Sequence, residues 1–239
     1  LKQRELREGL KLKLIKIPIA PANADDIATI FEKAVTPKTK LILVSHQINL
    51  TGQINPVKKV CEMARSRGIE TIVDGAHSFA QFDFKRDDLG CDYFGTSLHK
   101  WIYAPKGTGM LYVKKDKIPK VWALMASEDR NKNDIRKYEE IGTHPAANHN
   151  AIAEALLFHE GIGGERKAAR LRYLRDHWAR RLLGHERVVL HTSLDPRYSC
   201  GIATVELEGI DTTALQQHLW TKHRILTVGI FHEQFEGLR

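Results

Sequence analysis

The alternation of short apolar runs with segments of helical periodicity restricts the fold of this chain more than any other feature. Four runs have the length and the β-branched or aromatic content of strands: KLILVSH, IETIVDGAH, DYFGTS and GTGMLYVK. Helical patterns of about ten to fifteen residues separate several of these runs, which predicts right-handed crossovers within a mostly parallel sheet. The sequence therefore predicts an α/β fold in which helices cover the sheet.

Local signals place several element boundaries. LKLIKIPI is predicted to be a further strand that ends near Pro18. A helix is expected over NADDIATIFEKAV, with Asn23 as its N-cap and acidic residues in its first turn. Pro56 begins the next helix and Gly68 ends it. KLILVSH is apolar almost throughout, which is typical of a strand buried on both faces of a parallel sheet.

The pattern changes after Trp122. A charged stretch, predicted to be exposed, leads to YEEIGTHPAANHN, and helices are expected in AIAEALLFHEGIGG and ERKAARLRYLRDHWARRLLG. VVLHTS, GIATVELEG, TALQQHLWTKHR and ILTVGI then predict a smaller α+β domain. We place the large domain at residues 1–163 and the small domain at residues 164–239. The sequence starts inside the pattern LKQRELREGLKL and stops at FEGLR without a recognisable closing element, so we expect both domains to be partial and an N-terminal part to be missing.

Composition argues against several classes of protein. The formal net charge is +8, but basic and acidic residues are interleaved and no recognition motif accompanies them, so we predict no nucleic-acid partner. No apolar run approaches the ~20 residues that a membrane span needs. The three cysteines are far apart and lack metal-ligand spacing, which predicts buried thiols, no metal site and a cytoplasmic compartment. A missing N-terminal segment could still carry an export signal.

Polar and ionisable side chains follow three successive predicted strands. In chain order they are His46, Asn49, Asp74, His77, Ser97, His99 and Lys100. Ligands of open parallel sheets bind at the carboxyl ends of the strands. We therefore predict a functional site at this edge of the sheet.

The residue types at this edge suit pyridoxal 5'-phosphate (PLP). That cofactor needs a lysine for its Schiff base, a carboxylate against the pyridine nitrogen, and hydroxyl or imidazole donors for its phosphate. Lys100 and Asp74 match the first two needs, and Ser97 and His99 flank the lysine. Taken singly, Asp74 also fits a turn acid, Lys100 a surface lysine and His77 a structural histidine. Their combination in this order favours the cofactor site.

The sequence also resembles a known family in these same segments. ILVSHQINLTGQINPVKKV, IVDGAHSF and CDYFGTSLHKWIYAPKGTGMLYV together resemble the core of the class V aminotransferases. These are PLP-dependent enzymes of fold type I, and they include isopenicillin N epimerase-like proteins and cysteine desulfurases. The resemblance implies the fold-type I architecture and PLP as the cofactor. Relatives carry a phosphate-binding loop in a segment before LKQREL, and we expect this segment to belong to the missing N-terminal part.

The resemblance implies roles for individual residues around the cofactor. Lys100 matches the Schiff-base lysine, and Asp74 matches the carboxylate that pairs with the pyridine nitrogen. His77 stands where a side chain contacts the ring hydroxyl. Ser97 and His99 match ligands of the phosphate.

Three further residues are carried over from the same resemblance. Asn49 stands where an asparagine approaches the cofactor or substrate, and Arg239 falls where an arginine binds the substrate carboxylate. EEIGTHPAA resembles the segment whose threonine, here Thr143, reaches the phosphate of the neighbouring subunit. This implies a homodimer with shared active sites.

The implied reaction is Cα-proton chemistry on an amino acid or an amino-acid derivative, through a Lys100 aldimine. HKW and IGTHPAA are closer to the epimerase-like branch, and no cysteine lies between Leu226 and Arg239, where a desulfurase needs one. Epimerisation, transamination and elimination remain open. The alternatives are a PLP-dependent C–S lyase without a catalytic cysteine and a catalytically inactive PLP-fold binding protein. A basic nucleic-acid-binding module is disfavoured.

Overall fold

The central sheet of the molecule has four strands in the order β1-β2-β3-β4. They are β1 (Leu41–Ser45), β2 (Glu70–Asp74), β3 (Tyr93–Ser97) and β4 (Gly109–Val113). The first three are parallel and β4 is antiparallel to β3, so the prediction of a mostly parallel sheet is confirmed. This computed structural model describes residues 1–21, 23–127 and 132–239. Residues 128–131, part of the charged stretch predicted to be exposed, lie outside the described residues.

Helices α2 (Asp25–Ala34) and α3 (Val57–Ser66) pack on one face of this sheet. Helix α3 buries the residues that recur at three- and four-residue spacing along one side, namely Val57, Val60, Cys61 and Ala64. Together with α2 they cover the inward side chains of the strands, among them Val44, Val73 and Phe94. This layer is the main hydrophobic core, and it fixes the positions of the strand ends.

Among the described residues, nothing covers the opposite face of the sheet over much of β1 and β4, so KLILVSH is not buried on both faces as expected. Ile42 and Val44 are buried, whereas Leu41 and Leu43 are 40% and 48% exposed. Leu111 is 56% exposed on β4. Side chains alternate between the two faces of a strand, and both α2 and α3 lie on the same side. Within the described residues, these long helices therefore cover one face only.

The N-terminal segment departs from the prediction. Helix α1 (Lys2–Glu8) is followed by an extended stretch in which LKLIKIPI forms no strand. Ile15 and Ile17 instead pack on the main core, and the Lys13 amine donates to the carbonyl of Ala34 at 2.9 Å. The stretch therefore contacts helix α2 rather than pairing with a strand. Asn23 lies one residue before the N-cap of α2, and its side-chain oxygen accepts from the Asp25 N–H at 3.0 Å.

Helices of different lengths follow β2 in the chain. Helix α4 (Arg86–Leu89) precedes β3, and the described residues after β4 include the short 3-10 helices Lys115–Lys120 and Ile135–Tyr138. Helix α5 spans Ala146–Ile162 and therefore begins before AIAEALLFHEGIGG. Gly163, with a φ of +86°, separates it from α6 (Gly164–Leu182).

The C-terminal part contains a second sheet of four antiparallel strands in the order β5-β6-β8-β7. They are β5 (Val188–Leu190), β6 (Val205–Leu207), β7 (Gly229–His232) and β8 (Phe235–Leu238), with α7 (Thr212–His223) between β6 and β7. Two expectations are corrected. The predicted strand ILTVGI begins later, at Gly229, where it pairs with β8, and FEGLR contains β8, a strand that was not predicted. The boundary at residues 163 and 164 stays a prediction.

None of the described helices combines the length and apolar character that crossing a membrane requires. The described residues also contain no cluster of three or more His, Cys, Asp or Glu side chains arranged to hold a metal ion. Cys61, Cys91 and Cys200 are free thiols and all are buried.

Candidate active site

Two loops that leave neighbouring strand ends bring a lysine and a histidine together. Asp74 is the last residue of β2, and the turn after it carries His77. Ser97 ends β3, and the loop after it carries Lys100. The Lys100 Nζ atom lies 3.1 Å from the Nε2 atom of His77. The predicted grouping of Asp74, His77 and Lys100 at the carboxyl ends of β2 and β3 is therefore present in the structure.

Backbone contacts fix the turn that presents His77. The Gly75 N–H donates to the Gly95 carbonyl at 2.8 Å, and the Thr96 hydroxyl donates to the Gly75 carbonyl at 3.2 Å. A Cβ atom at Gly75 would overlap the ring of Phe94, so only glycine fits there. The Asp74 carboxylate accepts from the N–H of Ala76 at 2.9 Å. The strand end and the turn are thus held in a single arrangement.

The loop that carries Lys100 folds back onto β3. The Leu98 N–H donates to the Thr108 carbonyl, and the Ala104 N–H donates to the Leu98 carbonyl, both at 3.1 Å. Leu98, Ile102 and Ala104 are buried together as a small apolar cluster. Lys100, which lies between Leu98 and Ile102 in the chain, is half-buried. Buried apolar side chains therefore hold the loop both before Lys100, at Leu98, and after it, at Ile102 and Ala104.

The imidazole of His77 is electrostatically suited to accept a hydrogen bond from Lys100. Burial lowers the pKa of His77, and the positive charges of Lys100 and Arg239 lower it further, to about 4, against the opposing effect of Asp74. A neutral imidazole that accepts at Nε2 carries its hydrogen on Nδ1. The described residues provide no hydrogen-bond partner for this buried Nδ1 atom. An unpaired buried polar atom of this kind calls for an explanation, and a ligand that accepts its hydrogen is one.

Arg239 reaches the same region from β8. Its Nη1 atom donates to the backbone carbonyl of Asn49 at 2.8 Å, and Asn49 lies in the loop after β1. The backbone of Arg239 exchanges two hydrogen bonds of 2.9 Å with Val228. The structure therefore brings Arg239 and Asn49 together, but through the main chain of Asn49 rather than its amide.

The remaining predicted residues differ in their surroundings. Ser97 and Asp74 line an open depression of about 650 Å³ on the uncovered face of the sheet. His99 and Thr143 are exposed, and in the described part of the chain neither side chain hydrogen-bonds to Lys100, His77 or Asp74. Their assignment to a phosphate group stays a prediction.

Comparison with known proteins assigns the family. Residues 2–229 match the sequence profile of the family described as aminotransferase class-V. The chain belongs to this family. The structure and the profile thus agree with the resemblance drawn from the strand-end motifs.

Two curated relatives match most of this class-V chain. The isopenicillin N epimerase of Streptomyces clavuligerus is 32% identical over 236 residues, which are 92% of this chain and 59% of the relative. The isopenicillin N epimerase of Amycolatopsis lactamdurans is 32% identical over 235 residues, 91% of this chain and 59% of the relative. The chain thus spans about three fifths of the length of these epimerases.

Solved structures of the same fold are also similar. The apo cysteine desulfurase of Thermococcus onnurineus NA1 superposes with a TM-score of 0.79 at 19% identity, covering 99% of this chain and 62% of that protein. A C-DES mutant with glycine covalently linked to its PLP cofactor superposes with a TM-score of 0.81 at 19% identity, covering 99% of this chain and 64% of that protein. At this identity the likeness establishes the fold alone.

The residues at the strand ends of this class-V chain fit the ring end of PLP. Lys100 offers an amine, Asp74 an exposed carboxylate, and His77 a buried Nδ1 atom without a partner among the described residues. The depression beside Asp74 and Ser97 provides space over the sheet. These groups could hold the aldehyde, the ring nitrogen and the ring hydroxyl of the cofactor.

One positioning residue was missed in the sequence. Gln81 is fully buried, and its Nε2 atom donates to the carbonyl of His77 at 2.8 Å. Its Oε1 atom accepts from the Gly201 N–H at 2.9 Å and from the Gln47 side chain at 3.0 Å. The signal available in the sequence was an amide between the phenylalanines of SFAQFDF, where an apolar residue is expected. Gln81 ties the His77 turn to the C-terminal part of the chain.

His46 has a structural role instead. It is buried with its ring 4.6 Å from that of Phe84 and 5.5 Å from that of Phe82, both in edge arrangements. Burial lowers its pKa to about 4. The histidine that follows β1 therefore belongs to an aromatic cluster rather than to the predicted site.

Proposed function

We propose that this chain is the catalytic part of a PLP-dependent enzyme that acts on an amino acid or an amino-acid derivative. The observation that carries the proposal is the 3.1 Å contact between Lys100 and His77 beside the carboxylate of Asp74. When bound, PLP supplies an electron sink that stabilises negative charge at the Cα atom of the substrate. Membership in the class-V aminotransferases supports the same assignment.

In this proposal Lys100 provides the amine that bonds the cofactor and later moves a proton at the substrate Cα atom. A lysine can act in this way only if its amine is held close to the reacting atoms. The neutral His77 accepts a hydrogen bond from Lys100 and so holds its amine at the carboxyl ends of β2 and β3. Asp74, exposed at the end of β2, is the carboxylate that would pair with the ring nitrogen of the cofactor.

Arg239 and Asn49 are proposed to bind the carboxylate of the substrate. A guanidinium has five N–H donors, and one of those of Arg239 is used by the Asn49 carbonyl. The others can bind a carboxylate in a bidentate manner. Ser97 and His99 are proposed as phosphate ligands, and Thr143 as a ligand of the phosphate in the neighbouring subunit of a homodimer.

Epimerisation or transamination is favoured over persulfide chemistry. The two epimerases match more than nine tenths of this chain. All three thiols are buried, and burial raises the pKa of each, that of Cys61 to about 11, so none is suited to act as a nucleophile. A C–S lyase that needs no cysteine is the second candidate, because a putative L-cysteine desulfhydrase is also among the relatives.

The first test is a titration of the purified full-length protein with PLP, followed by absorbance in the visible range. A new band that disappears with borohydride supports the proposal. Amino acids of both configurations are then added in deuterium oxide, and products are analysed by chiral chromatography and mass spectrometry. Deuterium at Cα with inversion indicates epimerisation, a keto acid indicates transamination, and sulfide release from cysteine indicates the lyase. A protein that binds PLP but exchanges no Cα proton is the inactive binding protein.

A further inference from the structure

A buried lysine of helix α6 contacts the loop that carries Lys100. Lys167 is 5% exposed, and its Nζ atom donates to the backbone carbonyl of Trp101 at 2.6 Å. Trp101 directly follows Lys100 in the chain. The same Nζ atom lies 2.9 Å from the Nδ1 atom of His159 in helix α5. The main chain beside Lys100 is therefore attached to two helices through one amine.

A second contact ties the same loop to these helices. The Nζ atom of Lys167 lies 5.0 Å from the centre of the Tyr103 ring, and this ring packs edge-on against Phe158 with 6.0 Å between the centroids. Tyr103 has a φ of +67°, in the left-handed region that disfavours a bulky residue. A strained turn persists only where surrounding contacts hold it. Lys167 and Phe158 supply such contacts.

The charges around Lys167 match this arrangement. Burial lowers the pKa of Lys167, and the nearby Asp83 opposes that effect. Burial and the charge of Lys167 both lower the pKa of His159, which favours a neutral ring. A neutral ring can accept at Nδ1, and hydrogen bonds from a charged donor are about twice as strong as neutral ones. Lys167 thus has two acceptors, one of which is the Lys100 loop.

We infer that Lys167 is a positioning residue that acts through the Trp101 carbonyl to fix the position of Lys100, with His159 as its second acceptor. This inference rests on the proposed function, because it takes Lys100 as the lysine that bonds PLP. Lys167 lies on a separate element from the strand ends, 66 residues from Trp101 along the chain. It contacts neither Asp74 nor His77 in the described hydrogen bonds, so its effect on Lys100 passes through the loop.

The consequence of losing the amine is a displaced Lys100. Removing it leaves the Trp101 carbonyl and the His159 ring without their donor and frees the turn at Tyr103. A displacement of about 1 Å in a reacting group can cost about 100-fold in rate. We expect Lys167→Met to slow the attachment of PLP to Lys100 at least about 10-fold, and to lower kcat by a similar factor with little change in KM.

Lys137 offers a matched control. It is also 5% exposed, and its Nζ atom donates to the backbone carbonyls of Ile118 at 2.5 Å and Lys132 at 3.0 Å. These contacts lie among the 3-10 helices after β4, on other elements than the Lys100 loop. Lys137→Met therefore removes a comparable buried amine without touching the loop. Lys167→Arg keeps a charged donor in α6 and tests whether such a donor restores the rate at which PLP attaches to Lys100.

The experiment adds PLP to each apoprotein, follows the visible band with time, and measures the borohydride-trapped fraction and the Tm. The inference predicts a lower Tm in both methionine variants, but slow attachment only in Lys167→Met, with recovery to within about 3-fold in Lys167→Arg. Equal attachment rates in the two methionine variants overturn it and leave Lys167 a structural residue. If the unmodified protein forms no band, the proposed function fails and this inference fails with it.

A variant pair at His159 covers the case in which Lys167→Met does not fold. His159→Asn retains an acceptor oxygen near the position of Nδ1, whereas His159→Leu removes it. We expect His159→Leu to slow attachment a few-fold and His159→Asn to stay close to the unmodified protein. Equal rates in the two histidine variants contradict the inference.

Discussion

The two ends of the central sheet use similar residues for different purposes. At the amino end of β2, the Glu70 carboxylate accepts from Lys117 and Lys120 at 2.8 Å and from the Tyr93 hydroxyl at 2.9 Å. At the carboxyl end of the same strand, the Asp74 carboxylate accepts from a backbone N–H. Among the described residues, no lysine or arginine forms an ion pair with Asp74.

The two ends differ in the group that hydrogen-bonds to the lysine, which is Lys117 at the amino end and Lys100 at the carboxyl end. Burial alone raises the pKa of Glu70, but hydrogen bonds from Lys117, Lys120 and Tyr93 outweigh it and lower the pKa to about 2. Lys117 therefore hydrogen-bonds to the carboxylate of Glu70, whereas Lys100 hydrogen-bonds to the neutral imidazole of His77. Charges that are paired with one another contribute to stability, whereas charged groups without an ionic partner are available to a ligand. The comparison predicts that substitutions at the two ends affect different properties.

The largest effect is expected at Lys100. Replacing it with alanine removes the amine that bonds the cofactor, and activity should fall by at least about 1000-fold while the fold is kept. Lys106 lies in the same loop and is exposed, so Lys106→Ala serves as the control. Activity assays with saturating PLP check this. Full activity in Lys100→Ala would contradict the proposal that the carboxyl ends of β2 and β3 form the active site.

The next effect is expected at Asp74. Asp74→Asn keeps an oxygen for the Ala76 N–H but removes the charge, and we expect kcat to fall about 100-fold because an electrostatic partner of the reacting system is lost. Asp92 is the matched acid at the other end, where it accepts from the Thr71 N–H at 2.9 Å. Asp92→Asn should lower stability and leave kcat unchanged. Equal kinetic losses in both variants would contradict the comparison.

A smaller effect, on stability, is expected at Glu70. Its side chain is 24% exposed and holds two lysines, so Glu70→Gln should cost about 2 kcal/mol at neutral pH. Because folding lowers the pKa of Glu70 from 4.5 to about 2, its stabilisation is present above 4.5 and is lost as the pH falls toward 2. Urea unfolding at several pH values tests this. The variant should lose less stability than the unmodified protein in that window, with kcat unaltered.

The smallest effect is expected at His46, a structural residue at the carboxyl end. Folding lowers its pKa from 6.5 to about 4, so the unfolded chain binds a proton in this window that the folded chain does not. Stability therefore falls as the pH falls, by about 1 kcal/mol between pH 7 and 5.5 from this group. His46→Gln should flatten the dependence in urea unfolding. An unchanged slope would show that His46 titrates normally.

The sequence was informative where local pattern decides the structure. Each of the four strands of the central sheet lies within its predicted run, and the motifs after β2 and β3 bring Asp74, His77 and Lys100 together. Parallel strands align their carboxyl ends, so chain order is sufficient for that part of the site.

The sequence was less informative where contacts are long-range. LKLIKIPI has the alternation of a strand but packs against α2, because alternation does not specify a pairing partner. The contact between Arg239 and Asn49 spans 190 residues and depends on strand β8, which was not predicted. The segment of Lys167 was predicted only to be a helix, and it is the packing of α5 and α6 that brings this lysine to the Lys100 loop.

The most direct test of this account is to locate the covalent label. The full-length protein is loaded with PLP, reduced with borohydride and digested, and the modified peptides are identified by mass spectrometry. We expect a single main label on Lys100, at the carboxyl ends of β2 and β3, and none on Lys117 or Lys120, beside the amino end of β2. A label distributed over surface lysines, or one concentrated on a lysine other than Lys100, would contradict it.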